Sequence, residues 1–342
     1  MRTCVLVCAV MCVWLVACQS DSATKAQPAG VQRGVQIRKM INAKKQAFVA
    51  ARAEFKTNMV NLMDGYRGSV PDPPAEMFEV TTYPTELGPM HAYVSPDPGD
   101  GKKHPIVIWR FGGFGNSIGA AAWGEAAPEN DQSAAQYRKA GLLMMYPSLR
   151  GAHNNPGKFE GFYGEVDDML AAIKYAKSLD YVDPERVYLG GHSTGGTLAL
   201  LTAAAAPPEL APRAVFALGP IDWVHNYGAD GLPFDVEDKR ESYMRAPVKW
   251  IDAVDVPTWI IEGEDGNSFA AWALGTASDN PYVRAYTLPG HTHFTPIAGV
   301  NEIIARHVLE DTEMDSDFFM HSSAFRTMVE SGSDVQVHEW SE

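Results

Sequence analysis

The stretch "RVYLGGHSTGGTLALLTAAAA", Arg186 to Ala206, changes character once, at a serine. A short β-branched and aromatic run leads in, and a run of strong helix formers leads out. The serine, Ser193, stands in G-x-S-x-G between Gly191 and Gly195. A strand that turns at once into a helix lifts a serine Oγ clear of the sheet with helix N–H groups behind it, and the glycines keep side chains out of the crowded turn. Ser193 is therefore the candidate nucleophile, on an elbow made by Gly191, His192 and Gly195.

The same three letters recur as "GNSIG", Gly115 to Gly119, but Ser117 has no such setting. It lies in "FGGFGNSIGAAAW", behind the strand-like "PIVIWRF" (105 to 111), with four glycines in eight residues. That loop is too loose for an elbow and suits another purpose. The elbow resembles that of α/β hydrolases, in which one oxyanion donor is the N–H after the nucleophile, here Thr194, and the other comes from the loop after the third strand, here Gly113 or Phe114. In that fold the acid and the histidine follow the serine in chain order. After "PTWIIEG" (257 to 263) come Glu264 and Asp265, and Asp265 is the expected acid, with Glu264 and Glu262 competing at the same strand end. After "VRAYTLPG" comes "HTHF", where His293 is the expected base and His291 the reserve. A serine is a poor nucleophile at its own pKa, so His293 has to take its proton and a carboxylate has to hold the ring in the right tautomer. No metal or organic cofactor is required. A metal pair from His291 and His293 with those carboxylates would lack a third-ligand signature.

Outward from the elbow, strand-like and helix-like segments alternate. "MFEVTTY" and "MHAYV" read as a hairpin, followed by strands at 105 to 111, 142 to 147, 186 to 191, 213 to 219, 257 to 263 and 283 to 290. Helices are expected at 133 to 140, 165 to 179, 197 to 206, 268 to 277 and 297 to 309. The βαβα order implies an α/β fold whose eight-stranded, mostly parallel sheet is covered by helices on both faces. The order breaks once, at about 221 to 254, where Trp223, Tyr227, Phe234 and Tyr243 suggest a small cap or a cluster packed on itself. Ile41, Phe48, Phe55 and Leu62 recur every seven residues, an amphipathic helix over 37 to 65 that docks on the catalytic domain (77 to 310) or pairs with a second copy. An acidic extension, 311 to 342, carries a segment that reads as a final helix capped by Ser316.

The chain begins "MRTCVLVCAVMCVWLVAC": one positive residue, an apolar run too short to span a bilayer, and a small-residue cleavage site. Residues 1 to 17 read as a signal peptide, and Leu15 to Cys18 resemble the lipobox of bacterial lipoproteins, in which the cysteine is lipidated. In that family Gln19 after the cysteine implies the outer membrane of a Gram-negative cell, facing the periplasm. All four cysteines fall within the first eighteen residues, so the mature domain has no disulfide. A polar stretch, 18 to 36, reads as a flexible tether spanning on the order of 25 Å. The 342 residues carry 28 basic and 42 acidic side chains; loss of Arg2 with the signal leaves 27 against 42, a net charge of −15. Such a chain does not suit nucleic acid and gains little from anionic lipid, so the lipid on Cys18 is the expected membrane contact.

From about 77 to 310 the chain resembles the catalytic domain of the prolyl oligopeptidase family and the related dienelactone hydrolases. The resemblance rests on "FGGFG", "YPSLRG", "GEVDDMLAAIKYAKSLDYVDPERVYLGGHSTGG", "YMRAPVKWIDAVDVPTWIIEGED" and "PGHTHF". It implies a Ser193, His293 and Asp265 triad, an acyl-enzyme, a small-molecule or peptide substrate, and loop-bracing roles for Arg150-Gly151 and Asp167-Asp168. Three departures stand out. Phe111 occupies the place where family peptidases often carry a tyrosine that helps the oxyanion. The acid motif "EGEDGNS" has Glu262 in place of the usual His and its Asp one position early. About 60 residues precede the domain after the tether, too few for the peptide-filtering propeller of true oligopeptidases. The expected function is thus a lipid-anchored serine hydrolase cleaving a peptide, amide or ester bond. A carboxylesterase, and a binding protein that keeps the scaffold without catalysis, are the alternatives.

Overall fold

A computed structural model of the protein describes residues 29–61, 65–311 and 338–339. The signal peptide, Cys18, most of the tether, Leu62 and the helix expected near Ser316 lie outside the described residues.

The strands are β1 (Glu79–Thr85), β2 (Gly88–Val94), β3 (His104–Arg110), β4 (Leu143–Pro147), β5 (Val182–His192), β6 (Val215–Leu218), β7 (Thr258–Gly263), β8 (Val283–Leu288) and β9 (His338–Glu339). They form one sheet in the order β1-β2-β4-β3-β5-β6-β7-β8-β9. From β4 to β8 every pairing is parallel, and β1, β2 and β9 join antiparallel at the two edges. The eight expected strands are present. The two-residue β9 is an addition, pairing His338 with Thr287 and Glu339 with Tyr286.

The helices are α1 (Ala29–Glu54), α2 (Ala135–Lys139), α3 (Glu165–Ser178), α4 (Thr194–Ala205), α5 (Lys239–Met244), α6 (Pro247–Trp250), α7 (Ser268–Thr276) and α8 (Ile297–Glu310). The central strands are apolar throughout because the sheet is buried on both faces. In β3, Ile106 and Ile108 join the core under α3 and α4, while Val107 and Trp109 join the opposite core under α2 and α8. This alternation with a period of two fixes the register of β3 against β5, and with it the height at which Ser193 leaves the sheet.

The N-terminal helix differs from expectation at both ends. It begins at Ala29, inside the stretch expected to be a tether, and stops at Glu54 rather than near Gly65. Beyond Phe55 the backbone is claimed from elsewhere. The Asn58 N–H donates to Glu241 at 2.6 Å, those of Val60 and Asn61 donate to the Pro233 carbonyl, and Met59 bridges Phe234. Of the two expectations for this helix, docking is the one realised: Ile41, Lys45 and Phe48 are buried, Phe48 stacks on Trp250 at 4.4 Å, and the Lys45 ammonium donates to Ala206 O and to Asp255.

Candidate active site

β5 ends at His192, and the next residue, Ser193, has φ 55° and ψ −118°, a conformation that a non-glycine residue rarely adopts. Strain of this kind persists where surrounding structure over-determines it. Here the Ser193 N–H donates to Leu218 O at 2.7 Å, and Ser193 O accepts from Thr197 N at 3.0 Å. A side chain at Gly191 would run into the Gly195 backbone, and one at Gly195 into the Arg110 carbonyl. Ser193 is the N-cap residue of α4, yet its hydroxyl makes no capping bond, which leaves the Oγ available above the helix N-terminus.

The "FGGFGNSIG" loop closes over this turn. The Thr194 hydroxyl donates to Gly113 O at 2.6 Å, tying the residue after the nucleophile to the loop. Among the described residues the N–H groups of Gly113, Phe114 and Thr194 have no partner. The loop is held from below. The Arg110 guanidinium, 4% exposed, donates to the Gly115 and Ser117 carbonyls, and His153 Nε2 meets the backbone of Ile118. Arg150 donates from its backbone N–H, Nε and Nη2 to both oxygens of Asp168, and Nη1 donates to Glu160. Asp168 thus has the bracing role expected of it, whereas Asp167 pairs with Arg52 of α1. Ser117 lies within this loop and not at an elbow.

His293 is brought to the same place. His192 sits between the two halves: its Nε2–H donates to the His293 carbonyl at 2.8 Å, its Nδ1 faces Gln132 Oε1 at 3.0 Å, and the two imidazole centroids are 4.4 Å apart. Burial, together with the neighbouring His293, pulls the His192 pKa down to about 4. The ring is therefore neutral at pH 7, and its one proton serves the carbonyl, which can only accept. Gln132 Oε1 accepts from Gly112 N at 3.3 Å, so the amide beside His192 holds the oxyanion loop.

The carboxylate at His293 is Glu262, not Asp265. His293 Nδ1–H donates to Glu262 Oε2 at 2.8 Å. Glu262 is 1% exposed and also accepts from Gly263 N at 2.7 Å and Asn267 N at 2.9 Å. Asp265 is exposed, and its backbone N–H donates to His291 O. The reason is the path of the histidine loop. It folds back over the end of β7 so closely that a Cβ on Gly263 would overlap the His291 and Thr292 carbonyls, and the imidazole then reaches down to the last side chain of the strand. By position 265 the chain has already turned to solvent. Glu264 accepts from Gly290 N at 3.2 Å, and His291 Nδ1 meets Thr295 Oγ1 at 3.1 Å, so neither enters the site. Gly219, at φ +62°, packs against the His293 ring, where a Cβ would stand 2.5 Å from Cε1.

One participant comes from the 221–254 insert. The Tyr227 hydroxyl lies 2.8 Å from Thr197 Oγ1, in the first turn of the helix that Ser193 caps. Burial raises its pKa, so it remains a neutral phenol. The ring stacks on Phe162 and meets Phe114 edge-on, which makes the insert a wall of the site. Its aromatic composition hinted at this, but nothing local singled out Tyr227.

Residues 129–265 match the model of the prolyl oligopeptidase family. That match covers about two fifths of the chain. The quorum-quenching protein AidA of Acinetobacter baumannii is 38% identical over 63 residues, which is 18% of this chain and 21% of that protein. A puromycin-hydrolyzing peptidase of Mycobacterium tuberculosis superposes with a TM-score of 0.56 at 17% identity over 70% of this chain and 40% of its own. Est1E of Butyrivibrio proteoclasticus, solved with ferulic acid bound, gives 0.51 at 22% identity over 67% of this chain and 98% of its own. At these identities the structural likeness speaks for the α/β-hydrolase fold. The aligned part spans about a fifth of the curated relative and two fifths of the peptidase.

Proposed function

We propose that the protein hydrolyses a peptide, amide or ester bond through an acyl-enzyme on Ser193, with His293 as general base and Glu262 as its carboxylate. The observation that carries this reading is the His293 imidazole, fixed through Nδ1 on buried Glu262 and lying against the residue beside Ser193. Among the described residues Nε2 has no other partner. In that tautomer Nε2 takes the Ser193 proton as Oγ attacks the substrate carbonyl carbon, and Glu262 stabilises the imidazolium. The tetrahedral oxyanion is met by the N–H of Thr194 and that of Gly113 or Phe114, each contributing on the order of 3 kcal/mol. His293 then returns the proton to the leaving amine or alcohol. A water, deprotonated by the same imidazole, releases the acid and restores the serine.

The family match over 129–265 supports an acyl substrate of peptide or small-molecule kind. A lipid on Cys18, holding the enzyme at the outer membrane of a Gram-negative cell, is supported by the signal-like N-terminus and by the confinement of all cysteines to it. Two measurements test the proposal. Rates on p-nitrophenyl acyl esters and aminoacyl p-nitroanilides, taken side by side, should show turnover that Ser193→Ala abolishes; equal rates in both proteins contradict it. Cys18→Ser should move the protein from the membrane fraction to the soluble one, and retention on membranes contradicts the anchor.

A further inference from the structure

A cluster of buried charges lies beside the candidate oxyanion donors. Arg110, Arg150 and Arg245 interact with Glu160, Glu165, Asp168 and Glu241, so three guanidiniums face four carboxylates and one negative charge is left over. Three of the carboxylates are matched directly: Glu160 and Asp168 accept from Arg150, and Glu241 accepts from Arg245. Glu165, 1% exposed, accepts no guanidinium bond among the described residues. Its Oε1 accepts from Asn116 Nδ2 at 3.1 Å and Glu160 N at 2.8 Å, two donors on one oxygen. Its Oε2 is buried and has no partner.

An acceptor of this kind costs free energy unless something occupies it. Glu165 lines a narrow pocket together with exposed Gly113 and Thr194, the candidate oxyanion donors. Phe114, Phe162 and Leu198 give it an apolar lining. The deeply buried Glu165 and Arg110 line it as well. Arg110 directs its guanidinium to loop carbonyls. Burial raises the Glu165 pKa against the opposing charge of Arg150.

We propose that this pocket receives the acyl portion of the substrate and selects a short acyl group ending in a protonated amine, which Glu165 Oε2 binds as the missing cation of the cluster. The apolar lining favours the alkyl stem, and the leftover negative charge favours an ammonium over a methyl group of the same size. The assignment rests on Ser193 as the nucleophile, and the test separates the two.

The probes are the p-nitrophenyl esters of β-aminobutyrate and isovalerate, which differ only by an ammonium in place of a methyl. The wild-type kcat/KM should favour the ammonium ester by at least about tenfold, since a buried acceptor rejects the analogue that lacks its donor. Glu165→Gln keeps the Oε1 acceptor for Asn116 and Glu160 but removes the charge, and should bring the ratio to about one. A wild-type preference for isovalerate overturns the proposal without any variant, and so does a ratio that survives Glu165→Gln. Turnover of neither ester, with Ser193 still labelled by a fluorophosphonate, overturns the pocket assignment and spares the hydrolase reading. Absence of labelling removes both.

Discussion

Two turns at the top of the sheet carry the proposed catalytic groups, and they are built differently. At the turn from β5 to α4 the reactive side chain stands outside the strand, on a strained residue packed between two glycines and followed by a helix. Everything that makes Ser193 available lies within a few residues of it. At the turn from β7 to α7 the candidate carboxylate, Glu262, is still inside the strand, at its penultimate position, and meets an imidazole only because His293, 31 residues further on, folds back to it. A local constraint presents the proposed nucleophile, whereas a long-range one brings the proposed acid to its histidine. Substitutions should therefore act through different routes at the two turns.

The largest effect is expected at the elbow itself. Ser193→Ala should lower kcat/KM by about 10⁴-fold to 10⁶-fold, leaving only what binding and the oxyanion donors supply. Assays of burst and steady-state release of p-nitrophenol check it, and a loss under tenfold would place the nucleophile elsewhere. A smaller but still large loss should follow Gly219→Ala, which touches none of the reacting atoms. The new methyl would press on His293 Cε1 from a residue already at φ +62°. A displacement of the ring by about 1 Å should cost roughly 10²-fold in kcat. Unchanged kcat would mean that the histidine loop yields freely and that the fold-back is not what positions the ring.

How legible each part was follows from the same contrast. The eight main strands and the elbow could be read because periodicity, glycine placement and helix propensity are local signals. Glu262 and not the expected Asp265 meets His293, because spacing along the chain does not reveal that the 289–293 loop covers the end of β7. The C-terminal end of α1 was misjudged for an equivalent reason: the backbone beyond it is taken over by Glu241 and Pro233, 172 to 183 residues away in sequence. Tyr227 belongs with these, since only folding brings the insert against Thr197. In each case the deciding contact is tertiary.

His192 links the two turns and gives a pH signature. Its folded pKa of about 4 lies below the ordinary histidine value, so between pH 6.5 and 4 the unfolded chain binds more protons than the folded one. Stability should fall as pH drops through that window, by at most about 3 kcal/mol from this residue. Denaturant titrations at pH 7 and pH 4.5 should show a smaller acid loss for His192→Asn than for the wild type. Equal losses would mean that the imidazole is not buried in its neutral form. The smallest effect is expected from Ser117→Ala, the second G-x-S-x-G serine, whose rate should stay within about twofold of wild type because its backbone carbonyl, not its hydroxyl, is what Arg110 holds. A loss comparable to that of Ser193→Ala would reverse the assignment of the two serines.

The most direct test of the pairing of Ser193, His293 and Glu262 is the rate at which diisopropyl fluorophosphate modifies Ser193, followed by intact mass, in Glu262→Gln and Asp265→Asn side by side. We expect Glu262→Gln to slow the reaction by about 10³-fold to 10⁴-fold, because His293 loses its tautomer and its counter-charge. Asp265→Asn should react within about twofold of the wild type, as an exposed loop residue would. Slow labelling of Asp265→Asn with normal labelling of Glu262→Gln would contradict the assignment.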